Sequence, residues 1–248
     1  MLNSGEPYGG TLYICGTPIG NLGDVTQRLL EVLREVDFVA CEDTRRTLKI
    51  LSHFGIKKPL LAVHEHVERE RAETVMKALS EGKSVAFVSD AGMPAISDPG
   101  AYLVRTARER GFRLVLVPGP SSVTGALSLS GFQADRFVFA GFPPRKSKER
   151  REFFREWVRP GVPAVFFEAP HRLKKSLSDL LAVFPSNMEV CLCHEMTKIH
   201  ESVIFGTVQE VFESLKEAQV HGEWVIVARL DPLPFRGPMT KSEETAIT

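Results

Sequence analysis

The sequence predicts an α/β protein. Three observations lead there. In the first half, short apolar and β-branched runs alternate with stretches whose apolar residues recur every three or four positions. Glycine-bearing loops follow several of those runs, as at the ends of parallel strands. Hydrophobic residues make up 43% and charged residues 25% of 248, the balance of a chain with a packed core.

Strands are expected at 11–15 (TLYIC), 37–41 (DFVAC), 60–63 (LLAV), 84–88 (SVAFV) and 113–117 (RLVLV). Between them lie helices at 26–36, 44–54, 68–79 and 100–110, each with one apolar stripe. Strand alternating with helix makes βαβ units, hence a largely parallel sheet. The pattern changes after residue 118. A helix of small residues (122–130) leads to a strand at 136–142 and a highly charged helix at 145–159. Strands at 163–169, 188–194, 201–207 and 223–230 accompany helices at 172–184 and 208–218, so a mixed sheet is expected. The reading is an N-terminal extension (1–10), an α/β domain (11–118), a second α/β domain (119–231) and an unpatterned, disordered tail (232–248).

Lys+Arg and Asp+Glu both number 31, a formal charge of zero. A chain that lives on nucleic acid usually has a basic excess, so only a local patch can serve that role. No run of about 18 apolar residues is present, and no membrane span is expected. The opening MLNSGEPYGG has no basic region followed by an apolar stretch, so no signal peptide is read. Four cysteines make no disulfide framework in a chain this long, and the expected compartment is the cytoplasm.

Ser-Asp-x-Gly occurs twice in SDAGMPAISDPG (89–100). Asp98 before Pro99 fits a helix N-cap followed by proline at the first helical position. The first copy, with Asp90 and Gly92, ends a buried strand where open α/β sheets bind ligands. Its loop reads as a ligand loop or as an Asx-turn that merely connects, and its length favours the ligand. GTPIGNLGD (16–24) and PGPSS (118–122) are of the same kind; neither is a P-loop or a G-x-G-x-x-G turn.

Together with CEDTRRT (41–47), GFPPRK (141–146), EAPHRL (168–173) and HGEWVIV (221–227), these stretches resemble the tetrapyrrole methylase family over residues 10–230. Within it they look like the branch that methylates a ribose 2′-hydroxyl of a decoding-centre cytidine in 16S, small-subunit ribosomal RNA. The resemblance implies two α/β domains with S-adenosylmethionine in the cleft between them and S-adenosylhomocysteine as product. It further implies no metal, ribosomal RNA or the assembled small subunit as partner, and a homodimer. Its cofactor positions match Pro18, Asp90, Gly92, Ile96, Ser121, Ser122, Phe167, Ala169 and Met196. Phe167 and Met196 serve equally well as plain core residues. Amides of the 90–94 loop and of the helix start at 121–122 are expected to receive the cofactor's carboxylate.

A ribose hydroxyl is a poor nucleophile, helped by a base or by a cation on the emerging alkoxide. Ionisable residues at the strand ends are Glu42, Asp43, Arg45, Arg46, Glu168, His171, Arg172, Glu195 and Lys198. Asp43, Arg45 and His171 are the expected catalytic residues, although Asp43 also reads as a helix cap and His171 as part of a helix start. Glu195 and Lys198 read as a surface ion pair. Cys191 and Cys193 share one strand face with His194 opposite, which falls short of a structural zinc set. For RNA, Arg145, Lys146, Lys148, Arg150 and Arg151 belong to a stretch of seven Lys/Arg against three Glu, interleaved with Phe153, Phe154 and Trp157. An amphipathic helix that buries those aromatics is the plainer alternative. A methyltransferase acting on tetrapyrrole carbon, and a non-catalytic RNA- or ribosome-binding relative, stay open as other readings.

Overall fold

The structure, a computed structural model, describes residues 9–64 and 67–230. The expected tail, and the expected extension apart from Gly9 and Gly10, lie outside the described residues. The chain divides into two units, one up to Ser122 and one from Val123 on.

In the first unit, β1 (Thr11–Cys15), β2 (Phe38–Cys41), β3 (Leu60–Ala62), β4 (Val85–Val88) and β5 (Arg113–Val117) pair in the order β3-β2-β4-β1-β5, all parallel. Central β4 reads VAFV and is buried throughout, as a strand covered on both faces must be. Its Val85 and Phe87 pack with Leu12, Ala40 and the apolar stripes of α3 (Glu68–Ser80) and α4 (Ala101–Glu109). Its Ala86 and Val88 pack with Cys15, Val39 and the stripes of α1 (Gln27–Glu35) and α2 (Thr44–His53). A one-residue slip would exchange the two cores, so the register is firmly set.

These faces also decide where a ligand can sit. The chain leaves β1 and β2 toward the α1–α2 face but leaves β4 toward the α3–α4 face. Connections that part to opposite sides open a crevice beyond the carboxyl ends of the strands. Here that crevice belongs to β4 and its neighbours β1 and β2.

In the second unit the strands are β6 (Val138–Phe139), β7 (Ala164–Glu168), β8 (Glu189–His194), β9 (Ser202–Thr207) and β10 (Trp224–Arg229), in the order β6-β7-β10-β8-β9. Only β6 and β7 are parallel; β10 runs antiparallel to β7 and β8, and β9 antiparallel to β8. The mixed sheet is as expected. The division between the units falls within α5 (Ser122–Ser130), while α6 (Ser147–Trp157), α7 (Pro170–Leu181) and α8 (Val208–Leu215) cover one face of this second sheet. Thr207 and Glu210 start α8 with a reciprocal capping box. The strand expected over 136–142 shrinks to two residues. Gly141 turns at φ 69°, and Pro143 and Pro144 have no N–H to extend the ladder. Among the described residues, no helix is long and apolar enough to cross a membrane.

Candidate functional site

Three loops meet at the rim of the first sheet. Beyond β1 and β5, Gly16 and Gly119 approach backbone to backbone. A Cβ on Gly16 would stand 2.7 Å from the Gly119 backbone, and one on Gly119 would stand 2.7 Å from that of Gly16. Only glycine permits this approach. The loop after β4 crosses to the first: the Thr17 amide donates to Gly92 at 2.9 Å, and the Gly92 amide donates back at 3.1 Å. Gly92 holds φ 77°, and a Cβ there would lie 3.6 Å from the Pro120 carbonyl, just ahead of Ser121 and Ser122. Pro18, Asp90, Gly92 and the 118–122 turn are thus brought to one place. Ile96, in the same loop, is 49% exposed. The amide of Gly92 is committed to Thr17, so it is not among the donors expected for a cofactor carboxylate.

The ionisable groups at this rim divide by environment. Asp43 caps α2, accepting the Arg45 amide at 2.8 Å, and it also receives the Arg45 guanidinium, with Nη2 at 2.6 Å. These bonds, the guanidinium's first, hold its carboxyl down at about 2. Arg45 itself projects into solvent with its side chain 87% exposed. Asp90 accepts the Asp43 amide at 3.1 Å and faces Arg46 Nε at 3.3 Å. Glu42 differs, because its Oε2 is buried with no hydrogen-bond partner. Burial, then the charges of Asp90 and Asp98, push its carboxyl up. Burial also raises Asp98, against the hydroxyl of Ser89 and with the charge of Asp90.

Asp98 does not cap α4, contrary to expectation. The cap position is Gly100 at φ 126°, and the acceptor is Glu68 from the start of α3. Glu68 Oε1 takes the amides of Gly100, Tyr102 and Leu103 at 3.0, 3.0 and 3.2 Å. The loop reaches this point through Ala95 and Ser97, both left-handed, and delivers Asp98 to Ser89 instead of to the helix.

In the second unit, Ala169 is the N-cap of α7, Pro170 its first residue, and His171 is exposed on the first turn. Phe167 is half-buried, with its ring 4.9 Å from Phe139 and 5.4 Å from Phe142. Met196 is 9% exposed in a turn where Glu195 and Thr197 hold φ 49° and 66°. Lys198 bridges Glu195 at 2.8 Å and Glu223 at 2.9 Å across that turn. Glu195 and Lys198 therefore brace a left-handed turn and are not a simple surface pair.

The basic stretch needs a larger correction. Arg150 is buried, with Nη2 2.6 Å from Asp179, and Arg151 Nε lies 2.6 Å from the same carboxylate. A buried, paired guanidinium cannot grip a phosphate, so Arg150 leaves the RNA-binding set. Phe154 is fully buried, and Phe153 and Trp157 pack against the same core, as the plainer reading had it. Arg145, Lys146 and Lys148 remain exposed. Cys191 and Cys193 are buried with their sulfurs 4.0 Å apart, and no cluster fit to hold a metal occurs among the described residues.

The sequence profile of the family described as Tetrapyrrole (Corrin/Porphyrin) Methylases matches residues 11–211, which takes in most of both units. The chain belongs to the tetrapyrrole methylase family. This methylase is similar to the ribosomal RNA small subunit methyltransferase I of Neisseria meningitidis serogroup B, 48% identical over 226 residues, 90% of this chain and 77% of that one. The protein of the same name from Thermotoga maritima is 44% identical over 218 residues, 88% of this chain and 97% of that one. A solved uroporphyrin-III C-methyl transferase from Thermus thermophilus, complexed with S-adenosyl homocysteine, superposes with TM-score 0.62 at 18% identity, covering 88% of this chain and 97% of that one. That last likeness is one of fold.

Two groups in this methylase escaped a reading of local motifs, Glu68 and Asp179, and for Glu168 and Arg172 that reading found the residues but not their hold on the 143–144 backbone. Each acts on a loop distant in sequence. Nothing in the residues around Glu68 signals that it caps a helix whose N-cap residue lies 32 positions later.

Proposed function

We propose that this methylase transfers a methyl group from S-adenosylmethionine to the 2′-hydroxyl of a decoding-centre cytidine in small-subunit ribosomal RNA. The observation that carries the reading is the 48% identity, over 90% of the chain, to a protein named for small-subunit ribosomal RNA methylation. The rim of the first unit supports the choice of cofactor. The glycine-to-glycine approach draws the loops after β1 and β5 together beside the Gly92 loop, and the carboxylates of Glu42, Asp90 and Asp98 suit a ligand bearing ammonium and sulfonium charge. When bound, S-adenosylmethionine supplies an electrophilic methyl carbon.

Pro18, Asp90, Gly92, Ile96, Ser121 and Ser122 are the proposed cofactor contacts of the first unit; Phe167, Ala169 and Met196 are those of the second. In the transfer the hydroxyl loses its proton, the O–C bond forms and the S–C bond breaks. Asp43 at about 2 is a weak proton acceptor. Glu42, raised and with an unpartnered oxygen, is the better one, while Asp43 positions Arg45 near the rim for the substrate's charge. His171 is the alternative proton acceptor from the second unit. The proposal includes a homodimer acting in the cytoplasm.

The test is to incubate the protein with labelled S-adenosylmethionine and small-subunit ribosomal RNA, free and assembled. A 2′-O-methyl ribose lacks the nucleophile for alkaline cleavage, so the modified linkage should resist base at one cytidine. Label on RNA at a base, or on a tetrapyrrole and not on RNA, would overturn the reading.

A further inference from the structure

We infer that the loop Gly141–Lys146 is a preformed contact for single-stranded RNA. In it Phe142 is a stacking face, Arg145 and Lys146 are phosphate contacts, and Arg150, buried, and Arg172, half-buried, are positioning residues. The inference rests on the ribosomal RNA reading above and deepens it by naming the surface that meets the substrate.

The backbone of this loop is held from within. The Gly141 carbonyl accepts the Phe167 amide at 2.9 Å. Arg172 Nη2 donates to the carbonyls of Pro143 and Pro144, and Arg150 Nη1 donates to those of Pro144 and Arg145, at 3.2 and 3.0 Å. The Lys146 carbonyl accepts the Arg150 amide at 2.9 Å as α6 begins. Each guanidinium has a carboxylate behind it, hydrogen-bonded for Arg150 and an ion pair without a hydrogen bond at Nε for Arg172. Arg150 is bound to Asp179, which also accepts Ser147 Oγ at 2.7 Å, and Arg172 Nε lies 3.2 Å from the buried Glu168. One planar fork reaches two carbonyls and a carboxylate together, which a lysine cannot do. Two consecutive prolines fix φ in the middle of the loop. Such a loop has little conformational freedom left to lose on binding.

With these carbonyls held from within, the loop leaves Phe142, Arg145 and Lys146 exposed. Phe142 is 55% exposed, and Phe167 meets it edge to face at 62°, which orients the ring without covering it. Arg145, Lys146 and Lys148, three, four and six residues further along the chain, are exposed as well. Lys146 pairs with Glu149 at 3.1 Å, but with side chains 81% and 52% exposed that pair exchanges readily for a phosphate. An open aromatic face among cations fits an unstacked base and its phosphates, whereas a duplex offers no unstacked base.

The test is fluorescence anisotropy with a short labelled single-stranded oligoribonucleotide and its duplex, across a salt series, alongside S-adenosylhomocysteine binding by calorimetry. Phe142→Ala should weaken single-strand binding about tenfold, as loss of one stacked base does. Arg145→Gln with Lys146→Gln should lower the salt slope by about 1.4, from two lost phosphate contacts. Arg172→Lys keeps the charge beside Glu168 but loses the fork. It should weaken RNA as Phe142→Ala does while S-adenosylhomocysteine affinity stays within about twofold, a split that general unfolding would not produce. Should Arg172→Lys fail to fold, Phe142→Ala still decides. Unchanged single-strand affinity in folded Phe142→Ala, or equal affinity for the duplex, overturns the inference. That result leaves the ribosomal RNA reading intact if the wild type still methylates that RNA; absence of methylation by the wild type removes the reading itself.

Discussion

Replacing Glu68 and Asp98 in turn should separate the residue that caps α4 from the one that merely precedes it. Glu68 Oε1 accepts three amides at 3.0–3.2 Å in a half-buried setting. Losing an N-cap acceptor costs about 0.5–2 kcal/mol. Here the acceptor is a full carboxylate at the positive end of a helix, which adds up to ~1 kcal/mol. Glu68→Ala should therefore lose about 0.5–3 kcal/mol, or about 1–12 °C in Tm for a chain of this size. Asp98 should behave oppositely. Its folded carboxyl titrates above its unfolded value, so its contribution is fully present below the ordinary pKa of about 3.9 and is lost as pH rises through the raised value. At neutral pH its charge opposes folding, and Asp98→Asn should leave stability unchanged or raise it. Urea unfolding at pH 7 reads both variants, and hydrogen exchange at Gly100, Tyr102 and Leu103 localises the effect. A loss of about 1 kcal/mol or more in Asp98→Asn, with Glu68→Ala near wild type, would refute the argument.

Three other outcomes follow from the geometry. Gly119→Ala forces a Cβ to 2.7 Å from the Gly16 backbone and should abolish thermal stabilisation by S-adenosylhomocysteine, read by differential scanning fluorimetry. Asp179→Ala strands the buried Arg150 guanidinium and should cost about 3–5 kcal/mol in denaturant unfolding. Burial alone would raise Asp179, but hydrogen bonds from Ser147, Arg151 and Arg150 hold it below its ordinary value, so this stability should persist to acid pH and fail only as pH falls through the lowered value. For catalysis, methylation rate should climb with pH through the raised value of Glu42, which faces Asp90, Asp98 and Arg46. Glu42→Gln should remove that limb and slow transfer by about 10²–10⁴-fold, and an unchanged pH–rate profile would exclude Glu42 as the base.

The sequence by itself determined the alternation of strands and helices, the mixed second sheet and the glycine loops at the first sheet's rim. Those features are written in local periodicity and in residues whose backbone preferences are their own. Tertiary structure decided which charges are available. Arg150 looks like its neighbour Lys148 in the one-dimensional pattern, yet Asp179, 29 residues away, takes it out of solvent. Asp98–Pro99 has the form of a cap, yet two left-handed residues turn it toward Ser89 and leave the helix to Glu68. A side chain's propensity depends on its neighbours along the chain; its charge state and accessibility depend on what folding places across from it, and no local window contains that partner.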